Sequence, residues 1–213
     1  MPPLRPEASE RGDLSSLWSD DERTNGKQPD WVRDMPPVID LEKGRLHLAA
    51  KRGFRNWVSG FGEDFGVSTR LGDLSLETLG FLAQGKERGA FYIYDLAMNL
   101  QNMGSAFEFN ELDPRKKMAI IDRYIFLLDL IRFEIMKRLG WLEGYPGEPL
   151  TLVELILRFE EVAPDLQAQT PALSKDHPGY NRFMRMNVLD REVFVRKLIP
   201  KALKAVEGYS TTL

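Results

Sequence analysis

Asp122, Asp129 and Arg132 fall on what should be the apolar side of one long amphipathic stretch. A carboxylate among aliphatic neighbours is costly unless it is paired or hydrogen-bonded. Asp129 and Arg132 stand three apart and can pair on one helix. A second set, Arg88, Asp95, Asn99 and Asn102, aligns on a narrow stripe of a neighbouring helical pattern. If the two sets face each other, Asp95, Asn99, Asp122, Asp129 and Arg132 make a buried polar network or a pocket for a small polar ligand. If they do not, the stripe is the solvated face of a helix.

Anion binding is the second chemistry on offer. The net charge of −3 hides an uneven distribution, because residues 31–58 carry six Lys or Arg against three acids and residues 180–207 carry seven against three. Arg45, Lys51, Arg52 and Arg55 spread over one side of the first basic segment, and Arg196, Lys197 and Lys201 over one side of the second. Such faces suit phosphates or nucleic acid, although a solvated basic face is the plainer alternative.

Reaction chemistry finds little support. With zero cysteines and two histidines, His47 and His177, thiolate chemistry is excluded and histidine-rich metal sites are disfavoured. Glu108 and Glu111 have the spacing of a helical metal pair, but no Glu-x-x-His motif accompanies them. Gly60, Gly62 and Gly66 lack the preceding strand and following Lys of a phosphate loop. The stretch 61–74 has the outline of a helix-turn-helix, but Gly72 and Asp73 would weaken its recognition helix and repel DNA. No nucleophile, cofactor or metal set is indicated.

The elements that must position these residues are helical. Asp113 and Pro114 open a helix and Gly140 closes it. Residues 114–139 would span about 39 Å. At about 100° per residue, Lys116, Arg123, Glu134, Lys137 and Arg138 share one arc, and apolar residues including Met118, Ile125, Leu128 and Ile131 cover most of the rest. The wide apolar surface predicts a helix wrapped by others, as at the centre of a bundle.

Around it, residues 41–58 read as one amphipathic helix with Leu46, Ala50, Phe54, Trp57 and Val58 inward. A short helix starts at Asp73 or Ser75, and a longer one covers residues 87–103. Thr151 and Glu154 form a capping box for residues 152–162, with Pro164 as the stop. Residues 163–178 read as a loop, and Asp190 as the cap of a last helix toward Glu207.

Residues 1–37 hold six of the thirteen prolines and little periodic apolar content. They predict an irregular arm, anchored by Trp18 and Trp31 on its own domain or on a neighbouring subunit. Residues 38–213 then form one all-α domain. No run of apolar residues reaches the length of a membrane span, and the N-terminus lacks a signal-peptide core, so a cytoplasmic location away from membranes is expected. The missing catalytic motifs and the two arm tryptophans favour a non-enzymatic helical interaction module that self-associates or docks a protein partner. A nucleic-acid or phosphate binder using the two basic faces, and a small-ligand or enzymatic site at the polar set, are the alternatives.

Overall fold

The computed structural model describes residues 41–207, so the expected arm with Trp18 and Trp31 lies outside the described residues. The elements in order are α1 (Leu41–Gly53), α2 (Arg55–Phe61), α3 (Leu76–Ala83), α4 (Glu87–Leu100), α5 (Pro114–Arg138), β1 (Leu142–Gly144), α6 (Leu152–Leu157), α7 (Phe159–Gln167), β2 (Ala172–Leu173), α8 (Tyr180–Met184) and α9 (Val188–Val206). Short 3-10 turns occupy Leu71–Asp73 and Ala106–Glu111. The fold is all-α, built around the long central helix α5.

Capping chemistry sets where α5 begins and ends. The Asp113 carboxylate accepts from the Arg115 and Lys116 amides at 3.0 Å each, and Pro114 occupies the first turn, where no amide hydrogen is needed. At the other end Gly140 takes φ 73°, which turns the Trp141 amide back onto the Met136 carbonyl at 2.9 Å. Around this axis α3, α4 and α9 pack on α5, while α1 packs on α4.

The face assigned to water on α5 needs correction. Arg123 is 7% exposed and Glu134 2% exposed, whereas Met118 and Ile125 are exposed. Burial of Arg123 is tolerated because each of its three guanidinium nitrogens donates a hydrogen bond. It donates to the carbonyls of Ile156 and Ala119 at 3.2 and 2.9 Å and to Glu160 at 3.2 Å, and it lies 4.7 Å from the Phe159 ring centre. Glu134 accepts from Arg138 Nε at 2.9 Å. Its second oxygen and the Tyr145 hydroxyl are buried without a hydrogen-bond partner among the described residues. Burial and the Glu134 charge push the Tyr145 phenol up.

Further expectations change. The single helix over residues 41–58 is divided at Phe54, whose ψ of −1° lies at the edge of the right-handed helical range, into α1 and α2, and Val58, expected inward, is exposed. Pro164 does not end a helix. The break comes at Arg158, and α7 carries Pro164 inside it, which turns part of the expected loop into helix. Leu142 and Gly144 of β1 pair antiparallel with Leu173 and Ala172 of β2, joining the two segments that read as turn and loop. Asn187, not Asp190, caps α9, accepting from the Asp190 amide at 2.9 Å. Residues 62–70 form no helix, so the helix-turn-helix outline has no counterpart.

Of the two expected starts Ser75 opens α3, its hydroxyl accepting from the Thr78 amide at 3.0 Å. Thr151 and Glu154 form both bonds of the capping box. Beneath α1 and α2, Phe54, Trp57, Phe61, Phe65, Phe81 and Tyr92 form a connected set of edge-on and stacked rings.

The corner between α3 and α4 depends on a missing side chain. A Cβ on Gly89 would lie 3.0 Å from the Phe81 carbonyl oxygen and 3.4 Å from Leu82 Cα, so backbone would have to shift. Gly44, inside α1, has nothing within 4 Å of the same position. Gly89→Ala is therefore expected to lower the unfolding free energy by about 1–3 kcal/mol. Gly44→Ala should raise it by about 0.5–1 kcal/mol. Urea denaturation of the two variants measures both, and a neutral Gly89→Ala would mean that the corner is loose.

Candidate functional site

The structure separates the expected polar cluster. Asp95 is 1% exposed and accepts from Asn56 Nδ2 of α2 at 2.7 Å and from the Ala106 amide at 3.0 Å. Asn99 donates its side-chain amide to the Asp95 carbonyl at 2.8 Å, so both residues bond within a packed region. Asp129 belongs to a different network. It accepts from Arg196 at 2.7 Å and pairs with Arg132 at 3.6 Å, and Arg132 Nε also donates to the Ala83 carbonyl at 3.3 Å. Asp122 is exposed on α5. Of the two alternatives, the facing sets are not seen: α4 turns Asp95 toward α2 while α5 turns Asp129 toward α9.

A cavity of about 50 Å³ lies beside Asp129 between α5, α7 and α9. It has room for a few water molecules, since a water needs only about 10–15 Å³ of this measure.

The two basic faces also part company. Arg196 is held by Asp129 and by Glu192, the latter at 3.0 Å. Lys197 and Lys201 are exposed on α9 and edge a cleft of about 500 Å³ with Arg182, Phe194 and Leu198. Arg45, Lys51, Arg52 and Arg55, by contrast, border one groove of about 1040 Å³ along α1, α2 and the end of α4.

A second groove of about 1030 Å³, lined by Phe81, Lys86, Arg88 and Leu203 among others, matches it in volume, but only the first carries four of the expected cations. Leu46, Ala49 and Leu100 are the less exposed lining of the first groove, and Leu48 and Val58 its exposed flanks. The sequence explains why α1 leaves them there. Ala49, Ala50 and Gly53 are its buried residues, so the helix seats a narrow small-residue face on α4, and a Cβ on Gly53 would lie 2.8 Å from Leu96 Cδ1. The inner face is complete without the larger leucines. Leu41 and Leu48, 71% and 62% exposed, therefore remain outside.

On the outer face Leu41, Arg45, Leu48 and Arg52 recur at helical intervals of four, three and four residues. Within residues 41–61 five Lys or Arg face one acid, Glu42. Arg52 Nη2 donates to Asn102 Oδ1 at 3.1 Å. Asn102 sits at φ 56°, a left-handed conformation that asparagine tolerates better than most residues. This link fixes one guanidinium at the rim and leaves its other N–H groups available.

Leu48 and Leu100, which line the groove, were not singled out from the sequence; Leu41 shares the outer stripe of α1 but does not line the groove. The available signal was the seven-residue repeat of Leu41 and Leu48, out of phase with the inward set Leu46, Ala50, Phe54 and Trp57.

No family model, curated protein or solved structure matches this chain. Among the described residues, no helix is long and apolar enough to cross a membrane.

His177 serves the fold. Its Nδ1 accepts from the Gly179 amide at 3.0 Å, and its ring lies 6.2 Å from those of both Trp141 and Phe194. Burial, with the positive charge of Lys201, holds its imidazole below the usual histidine range. The folded state favours the neutral ring, so the unfolded chain takes up the extra proton. Stability present above about pH 6.5 is therefore lost as pH falls below it. His177→Asn keeps an acceptor for the Gly179 amide and removes the titration. Its unfolding free energy should vary less than the parent's between about pH 5 and 6.5, as urea titrations would show; an unchanged slope would assign the dependence to other groups.

Proposed function

We propose that this chain is a non-enzymatic docking module and that the groove along α1 and α2 receives a segment of another protein. The observation that carries the reading is the groove itself, in which aliphatic side chains stand open to solvent between four cationic ones. Exposed apolar surface grouped in this way marks interaction sites more often than it marks stable free surface. A lining dominated by aliphatic carbon and guanidinium groups binds partners and exchanges few protons near neutral pH.

The nucleic-acid alternative draws less support from the same surface. Leu41 and Leu48 interrupt the cations of α1, and Arg196 on α9 is already paired with two carboxylates. Phosphate tracking calls for cations left free along a continuous face.

Photo-crosslinking from the groove tests the proposal. A benzoylphenylalanine placed at Leu48 should give an adduct with a discrete protein in intact cells of the source organism. The same group at Leu157, an exposed position on α6, should not. Arg45→Glu with Arg52→Glu should abolish the Leu48 adduct. Equal adducts at both positions, adducts with nucleic acid alone, or no adduct would refute docking through this groove.

A further inference from the structure

The groove's chemistry is specific enough to describe its occupant. We infer that it takes an acidic amphipathic helix of a partner protein, about three turns long, with leucine-like residues and carboxylates alternating along one face. The inference rests on the docking function proposed above and adds what the docked segment must be.

Periodicity is the first support. Leu41, Arg45, Leu48 and Arg52 form one stripe on α1 that extends about 16 Å at 1.5 Å per residue. Both the apolar and the cationic members repeat every seven residues, as do side chains on a helix lying alongside. An extended strand, at about 3.3 Å per residue, would alternate faces and bring a matching side chain past each pair at a different interval.

Charge is the second. Arg45, Lys51, Arg52 and Arg55 line the groove against one acid, Glu42, a positive balance that carboxylates neutralise, and arginine engages a carboxylate through paired N–H groups. Arg52 is prepared for this by Asn102, whose side-chain oxygen already takes one of its Nη2 hydrogens at 3.1 Å. Asn102 is thus a positioning residue, acting on the partner through Arg52.

Shape is the third. Leu100 at the end of α4 and Asn102 just beyond it line the groove together with Arg45, Leu48 and Arg52 of the α1 stripe, and the space of about 1040 Å³ among them opens to solvent. A helix laid into a groove buries its apolar face among such lining side chains. A bilayer surface would meet only the outer leucines, and nucleic acid would leave Leu46, Ala49 and Leu100 unused.

Selection from a displayed random-peptide library, about 16 residues long to cover the stripe, tests the inference on the full-length protein. Enriched peptides should combine Leu, Ile or Phe at helical intervals with Asp or Glu between them. Arg45→Glu with Arg52→Glu should weaken those peptides by about tenfold or more and should instead enrich peptides bearing Lys or Arg. Asn102→Ala should weaken acidic peptides and leave their neutral Gln counterparts unchanged. Arg45 and Arg52 are exposed, so an unchanged urea midpoint confirms that the charge-reversed variant is folded.

Groove-dependent enrichment of apolar peptides without acids would overturn the acidic-helix inference and leave docking intact. Absence of enrichment, or enrichment indifferent to both the charge reversal and Leu48→Asp, would overturn docking as well. Vesicles of equimolar phosphatidylcholine and phosphatidylserine, and a single-stranded oligonucleotide, complete the set. Binding of either that is lost on charge reversal, with no acidic peptide enriched, would replace the inferred helix with a lipid or nucleic-acid surface.

Discussion

The carboxylate of Asp95 ties together three parts of the chain that are distant in sequence. It sits in the middle of α4, almost fully buried, and takes hydrogen bonds from Asn56 on α2 and from the Ala106 amide in the connection toward α5. A buried carboxyl group must keep such partners, because leaving a buried acceptor unsatisfied costs about 1–3 kcal/mol. The placement of α2 over α4, and with it the direction in which α1 leaves, follows from that requirement. Trp57 reinforces it by donating its indole N–H to the Tyr92 carbonyl at 2.9 Å.

From this anchor the exposed leucines become intelligible. Because α1 seats Ala49, Ala50 and Gly53 against α4, its contact is close and narrow, and the helix gains nothing inward from Leu41 or Leu48. Their positions recur with those of Arg45 and Arg52 on the side facing away. An isolated exposed leucine is ordinary in any protein surface. Leucines interleaved with arginines along one helix, with Leu100 and Asn102 lining the same groove, are what carries the docking reading proposed above. The same α4 therefore supports the core through Asp95 and the groove through its last turn.

Much of the scaffold was legible because the signals that start and stop helices are local. Asp113 with Pro114, Ser75, Thr151 with Glu154, and Gly140 each act within a few residues of themselves, and each does in the fold what its type and position suggest. Side-chain partners across the fold were not legible. Periodicity assigned Arg123 and Glu134 to water by their charge, but Arg123 found Ile156, Glu160 and Phe159 on α6 and α7, and Glu134 found Arg138 one turn later. Asp95 and Asp129 looked alike on their helices and bond to different neighbours for the same reason. The groove was half legible: its cations were visible as a basic face, while Leu48 and Leu41 passed as ordinary members of an amphipathic helix.

On the docking reading proposed above, Leu48 in the groove and its stripe neighbour Leu41 serve a partner and not the fold of the chain alone. The most direct measurement is the unfolding free energy of the full-length protein carrying Leu41→Ser and Leu48→Ser together. An outward, unpartnered stripe predicts a value within about 0.5 kcal/mol of the parent. A loss of about 2–5 kcal/mol, the range for truncating buried leucines, would show that the chain itself covers them and would contradict the account.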